Sequence, residues 1–537
     1  MKRILVLASI LIFSCSNDPQ NCDILIENGM IYDGTGDKPY KGVVAISNDK
    51  IIYVGKNKNF IADKVIDATD KAVSPGFINM LSWAYDTLMN DGRSLSDLKQ
   101  GVTLEVFGEG TSPGPSGNIE DNSYVSFGEA MQTLEDNGVS TNIASYLGAT
   151  TVRIQEIGYA NRKATDEEME SMRNIVKLAM EQGAIGIGSS LIYAPADYAD
   201  TNELIELSKV ASAYGGRYIS HMRNEDSRIL SAVDELIEIA EQANIPAEIY
   251  HLKASRQANY HLLDSVISKV EEARSIGLKI TADMYTYTAS STGLTGVIPT
   301  WVQEGGREAW INRMKKPDIR KRLFADIRKE LSEQPPEGIL MVGFNKKSMA
   351  DKYRGMTIAE AAKLRGESPE EAIVDLIIED GSRIQCIYFS MSEENIRKKI
   401  QLPWVSFDSD AGSYSDISED FITHPRAFGS FIRVIGKYTR DEGLLELEEA
   451  IRKLSGLPAE NLGISDRGLL KENYFADVVI FDPNNVRDNA TFEEPLQYAE
   501  GIENVFVNGV EVISNGEHTG EYPGRFIKGA GYNSGGN

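Results

Sequence analysis

The sequence predicts an α/β protein, a (β/α)8 TIM-like barrel that carries a small β-sandwich domain formed from both chain ends. Three observations point there. His221 and His251 each close a short apolar run of strand type, and the stretch between them has apolar residues at Ile229, Val233, Leu236, Ile237 and Ala240, a helical period. A strand-plus-helix unit takes roughly 30 residues, and the function of such barrels collects at the C-terminal ends of their strands. Elsewhere in the middle of the chain strand-like runs alternate with helical ones, whereas residues 23–72 and the C-terminal segment are β throughout.

Taken in order, residues 1–15 read as a processing segment. Lys2 and Arg3 precede an apolar run from Ile4 to Phe13, and Ser14-Cys15 follows. Such a run is too short to cross a bilayer core of about 30 Å as a helix. The pattern resembles a bacterial lipoprotein signal with Cys15 as the lipid-bearing residue, which implies an exported cell-envelope protein tied to the membrane there. An ordinary secretory signal is the alternative. Residues 16–22 are then a polar tether.

Residues 23–72 alternate apolar and polar and are broken by turn chemistry at Asn28-Gly29, Asp33-Gly34 and Asn48-Asp49. The same texture returns within 470–537, so one small domain is expected from 23–72 and 470–537, with the barrel at 73–469. Eight runs are candidate barrel strands: 72–80, 102–107, 145–147, 184–187, the two histidine runs, 278–283 and 404–408. Two more apolar runs, 338–344 and 384–389, lie outside the barrel or displace one of these. Residues 290–382 are rich in helical signals and read as an excursion over the barrel mouth.

With 55 Lys+Arg against 80 Asp+Glu the formal charge is -25, which excludes the basic stripe that nucleic acid requires. A length of 537 residues with 42% hydrophobic content suffices for one large barrel and a satellite domain. Beyond the signal only Cys22 and Cys386 remain. Their spacing establishes no disulfide, and Cys386, within an apolar run, reads as core.

Several motifs occur in a set order: Ser74-Pro75-Gly76-Phe77-Ile78, Gly108-Glu109-Gly110-Thr111-Ser112, Ser220-His221-Met222-Arg223-Asn224-Glu225, His251-Leu252-Lys253, Ser409-Asp410 and His424-Pro425-Arg426. In this order they resemble the amidohydrolase superfamily, in its N-acyl-D-amino-acid deacylase (D-aminoacylase) branch, over essentially everything after residue 22. The resemblance implies a metal-dependent hydrolase of C–N amide bonds. It implies zinc at the barrel mouth, held by Glu109 in a bridging position and by His221 and His251, with Asp410 as the acid–base residue. Three protein ligands and an open fourth position suit catalytic zinc. It also assigns the substrate carboxylate of an N-acyl amino acid to Lys253, Tyr285 and Arg426, with Tyr287 an alternative to Tyr285.

One departure stands out. Where the branch carries His-x-His after the first strand, this chain has Leu81 and Trp83, and its acidic position is Asn79. Neither replacement ligates a metal, so one of two metal seats is expected to be lost and filled by an apolar plug. Two readings follow: a mononuclear enzyme with one zinc per chain, or a catalytically degenerate, lipid-anchored binding protein on the same fold. The first is preferred, because Glu109, His221, His251 and Asp410 crowded at a barrel mouth without a cation would cost roughly several kcal/mol in desolvation. Among the other polar residues, Asp408 competes with Asp410 as the base. Arg223 and Glu225 are candidates to orient His221. His424 reads as a helix cap, His261 as surface and His518 as surface or a domain contact.

Overall fold

The structure is a computed structural model describing residues 19–57, 59–118, 123–417 and 422–533. The proposed signal, including Cys15, lies outside the described residues. Seven of the eight predicted barrel runs contain regular strands, and the eighth is an irregular segment held by isolated bridges. They run Phe77–Asn79, Val102–Phe107, Asn142–Ser145 continued by Leu147–Gly148, Gly186–Ser190, Arg217–His221, Ala247–Ile249 and Ile280–Ala282, and the eighth is residues 404–411. Neighbours pair in parallel throughout. The last strand is irregular and joins its neighbours through single bridges, Val405 with Ala282 on one side and Ala411 with Ser82 on the other. Closure of the barrel therefore sets residues 81–83 beside residues 410–411.

The helix between the two histidine strands, Ile229–Gln242, buries Ile229, Val233, Leu236 and Ala240 against the barrel, as its apolar period requires.

Both chain ends build one nine-stranded sheet, joined where Val478–Phe481 pairs with Ala72–Pro75. Its first strands have alternate residues on opposite faces and both faces covered, with Leu25, Val43 and Ala45 in one core and Ile26, Val44 and Ile46 in another. The boundaries differ from expectation in three places. The first strand begins at Gln20 and pairs with Phe60–Asp67, so residues 20–22 are sheet rather than tether. Residues 72–75 belong to the end sheet, and the barrel begins at Phe77. The tail leaves that sheet: Phe526 bridges Ile143 of the third barrel strand.

The excursion carries its own core, from Leu294 to Tyr388, and so runs past residue 382. The two surplus apolar runs fall here. Ile339–Gly343 and Gln385–Tyr388 form an antiparallel sheet with Ser290–Gly293, outside the barrel. Cys386 is core, as expected, and both it and Cys22 are free. No helix among the described residues is long and apolar enough to cross a membrane.

Candidate metal centre and active site

Glu109 stands between two glycines at the end of the second strand. Gly108 has φ +109°, and a side chain there would meet the Tyr146 carbonyl at 2.3 Å; Gly110 has φ +70°, and one there would meet Ser190 at 2.6 Å. Only glycine tolerates this turn, which lays the Glu109 carboxylate across the mouth. Its Oε1 lies 2.7 Å from His221 Nδ1 and 3.1 Å from His251 Nε2. The two imidazoles meet edge to face at 4.4 Å between centroids. Ligand atoms of the three residues all lie within 4.8 Å of one another, and all three side chains are buried.

The outer nitrogens of both rings face Glu225, His251 Nδ1 at 3.2 Å and His221 Nε2 at 3.5 Å, and Lys253 Nζ donates to Glu225 Oε1 at 2.6 Å. Glu225 thus lies against both rings, and Lys253 Nζ lies 2.7 Å from His251 Nδ1. Arg223 instead pairs with Glu235 and with the carbonyls of Asp197 and Ala199. Burial opposes charge on Glu109, yet the hydrogen bonds from His221 and His251 hold it well below the usual carboxylate range. Glu225 is held low in the same way, against burial, by His221 and Lys253. Burial and the Lys253 ammonium work against protonation of His251, but Glu225 and Glu109 outweigh them and raise it to about 10.

A bound cation would take the place of the His251 proton: with both imidazoles then neutral, two carboxylates and one ammonium would leave the cluster one net negative charge. A cation compensates that charge, and the donor set of one carboxylate oxygen and two imidazole nitrogens suits zinc.

Beneath the mouth, Asp283 Oδ1 accepts the backbone N–H of His251, whose φ is +35°. Asp283 thereby holds a backbone that non-glycine residues rarely adopt. Burial first, then the charge of Asp408, push Asp283 well above the usual range, and burial lifts Asp408 to about 6. Asp408 is fully buried, whereas Asp410 reaches the cavity wall, so the geometry favours Asp410 over Asp408 as the group that meets substrate.

Asp410 Oδ2 lies 2.7 Å from Arg426 Nη1, and Oδ1 accepts the indole N–H of Trp83 at 3.1 Å. The predicted plug is therefore half right. Leu81 is wholly buried, but Trp83 is 45% exposed and lines the cavity. Lys253 and Arg426 line it too. Tyr285 is buried behind them: the Arg426 guanidinium lies 4.6 Å from its ring, and its hydroxyl is directed to Met391 Sδ. Tyr287 turns its hydroxyl toward Asp488 and the Ala490 carbonyl. His424 caps the helix that starts at Arg426 by accepting the Arg426 N–H at 3.0 Å. His261 is exposed, and His518 contacts Ser140 across the domain boundary.

The cavity measures about 940 Å³. Barrel-mouth residues form its floor, and Thr292, Ile298, Arg383 and Tyr388 of the excursion form its wall.

A closed parallel barrel with a carboxylate and two strand-end imidazoles converging at its mouth defines a metal-dependent hydrolase fold. A model of the amidohydrolase family matches residues 133–513. The D-aminoacylase of Alcaligenes xylosoxydans xylosoxydans is 30% identical over 524 residues, covering 95% of this chain and 98% of that protein. The N-acyl-D-glutamate deacylase of the same organism is 30% identical over 527 residues, covering 95% and 97%. Among solved structures, a D-aminoacylase superposes with a TM-score of 0.79 at 28% identity, covering 94% of this chain and 100% of the other. The N-acyl-D-glutamate deacylase of Bordetella bronchiseptica, complexed with zinc and a phosphonate inhibitor, does so with 0.79 at 26% identity, covering 95% and 100%. The chain belongs to the amidohydrolase family, in its D-aminoacylase branch, whose members hydrolyse carbon–nitrogen bonds other than peptide bonds.

Proposed function

We propose that this protein is a deacylase of N-acyl amino acids, of D configuration, that works with one zinc ion held by Glu109, His221 and His251. The observation that carries the reading is the convergence of His221 Nδ1 and His251 Nε2 on Glu109 Oε1, at 2.7 and 3.1 Å, on the floor of a cavity of about 940 Å³. A metal cation there polarises the amide carbonyl and makes water a better nucleophile near neutral pH. The rest falls to the chain itself. Arg426 and Lys253 offer cationic donors to the substrate carboxylate. Asp410 takes the proton of the attacking water and returns it to the amine nitrogen as the C–N bond breaks. Glu225 and Lys253 flank the outer nitrogen of His251, whose inner nitrogen faces Glu109.

One metal rather than two follows from Leu81 and Trp83, which offer no ligand where the branch carries His-x-His. The metal-free binding protein is the weaker reading, since the ligand atoms of Glu109, His221 and His251 converge within 4.8 Å of one another at the cavity floor.

The test is a panel of N-acetylated D- and L-amino acids, assayed after chelation and again after zinc is restored. Zinc-dependent release of D-amino acids supports the proposal, and a panel untouched with zinc present overturns it. We also propose, from the sequence, that the protein is exported and anchored through Cys15. Labelling of the wild type by a lipid precursor, lost in Cys15→Ser, is the check.

A further inference from the structure

We propose that Trp83 is a positioning residue for Asp410, its indole N–H fixing the direction in which the carboxylate points. The inference rests on the reading of Asp410 as the acid–base residue.

Three hydrogen bonds tie the two segments that barrel closure brings together. The Asp410 N–H reaches the Leu81 carbonyl at 3.0 Å, the Trp83 N–H reaches the Ala411 carbonyl at 2.9 Å, and Trp83 Nε1 reaches Asp410 Oδ1 at 3.1 Å. Asp410 sits at φ +45°, a conformation that a non-glycine residue keeps only when its surroundings over-determine it. The backbone pair fixes where the residue lies, and the indole fixes which way its carboxylate points.

Among the described residues the carboxylate has two partners, Trp83 on Oδ1 and Arg426 on Oδ2. They differ in what substrate does to them. Arg426 is the cation a substrate carboxylate would recruit, and recruiting it loosens its hold on Oδ2. Trp83 has no such competitor, being a neutral donor with no charge for the substrate to claim. When substrate is bound, the indole is the anchor that keeps Oδ1 in place while Oδ2 is released to take a proton. A phenylalanine would have supplied a ring at the cavity wall; the indole adds a donor aimed at the carboxylate.

The test compares Trp83→Phe, which keeps a ring but no donor, with Trp83→His, which restores a ring N–H. Zinc is held at one equivalent in both, so that no second ion is recruited. For Trp83→Phe we expect kcat to fall about tenfold or more, the scale of a lost charge-assisted hydrogen bond, with KM within about twofold and the metal content of wild type. Trp83→His is expected to recover most of kcat. An unchanged kcat in Trp83→Phe, or an equal loss in both variants, overturns the proposal and leaves Trp83 as cavity wall.

A second measurement needs no turnover. The difference in emission between wild type and Trp83→Phe isolates this indole, and it should shift when Asp410→Ala removes the acceptor. A spectrum indifferent to Asp410→Ala overturns the pairing. If wild type hydrolyses no N-acyl amino acid, the functional reading fails while the emission measurement still decides the contact.

Discussion

Glu109→Gln isolates the electrostatic part of metal binding. Glu109 is the one formally charged donor among three residues whose ligand atoms lie within 4.8 Å of one another, and glutamine keeps its shape and one coordinating oxygen. For a unit charge and a divalent cation about 4 Å apart in an effective dielectric of about 20, Coulomb's law gives ~8 kcal/mol, of which the retained amide oxygen keeps roughly half, and the remainder is about three decades in a dissociation constant. With both imidazoles neutral around the bound ion, the substitution also removes the one net negative charge of the cluster, so little of the loss is recovered from neighbouring groups. Zinc affinity should therefore fall between about 100- and 1,000-fold, while the fold, secured by the barrel ladder, is retained. The assay is competition with a chromophoric chelator on stripped protein, alongside elemental analysis of metal per chain. A Glu109→Gln protein that holds zinc as tightly as wild type would refute the assignment of Glu109 to the metal and leave it as a partner that merely orients the two imidazoles.

Asp410→Asn should keep its zinc and lose activity by about 100- to 10,000-fold, the span usual for a removed general acid–base group; steady-state kinetics with metal analysis on the same sample checks this, and loss of the metal would count against the role. Arg426→Lys should raise KM for carboxylate-bearing substrates by roughly 10- to 100-fold, because an ammonium replaces one half of a planar fork, and an unchanged KM would move the carboxylate elsewhere. The last prediction concerns Glu105, which is buried and accepts hydrogen bonds from Ser82, Ser94 and Thr141 at 2.7, 3.0 and 2.9 Å. Burial, and behind it the charge of Asp97, push it up to about 8. The folded protein thus keeps a proton that the unfolded chain gives up near its ordinary value of 4.5, so this contribution to stability is complete below that value and is lost as pH climbs to about 8. Glu105→Gln should flatten the fall in melting temperature across that window, and a variant with the slope of wild type would show that Glu105 is ionised in the fold.

What the sequence by itself determined is what short-range periodicity and local chemistry can encode. His221 and His251 were legible because each ends an apolar run and a helix-period segment separates them. The absence of the His-x-His pair was legible because Leu81 and Trp83 stand in a contiguous motif. The surplus runs at 338–344 and 384–389 announced themselves as too many strands for one barrel, although only the structure shows them forming a sheet of their own with Ser290–Gly293.

Tertiary structure decided the rest, because the deciding partners are far apart in the chain. Trp83 meets Asp410 across 327 positions only because the first and last strands close the barrel. Glu225, four residues after His221, gave no sign that it would also face His251 and Lys253. Asp283 ends a run of strand type, and its part in holding His251 depends on the sixth and seventh strands lying side by side. The tail reads as more of the end sheet, yet it pairs with the third barrel strand, since a β segment carries no mark of which free edge it will join. Periodicity fixes which way a side chain faces within its own element, and only the packing of elements fixes what it meets there.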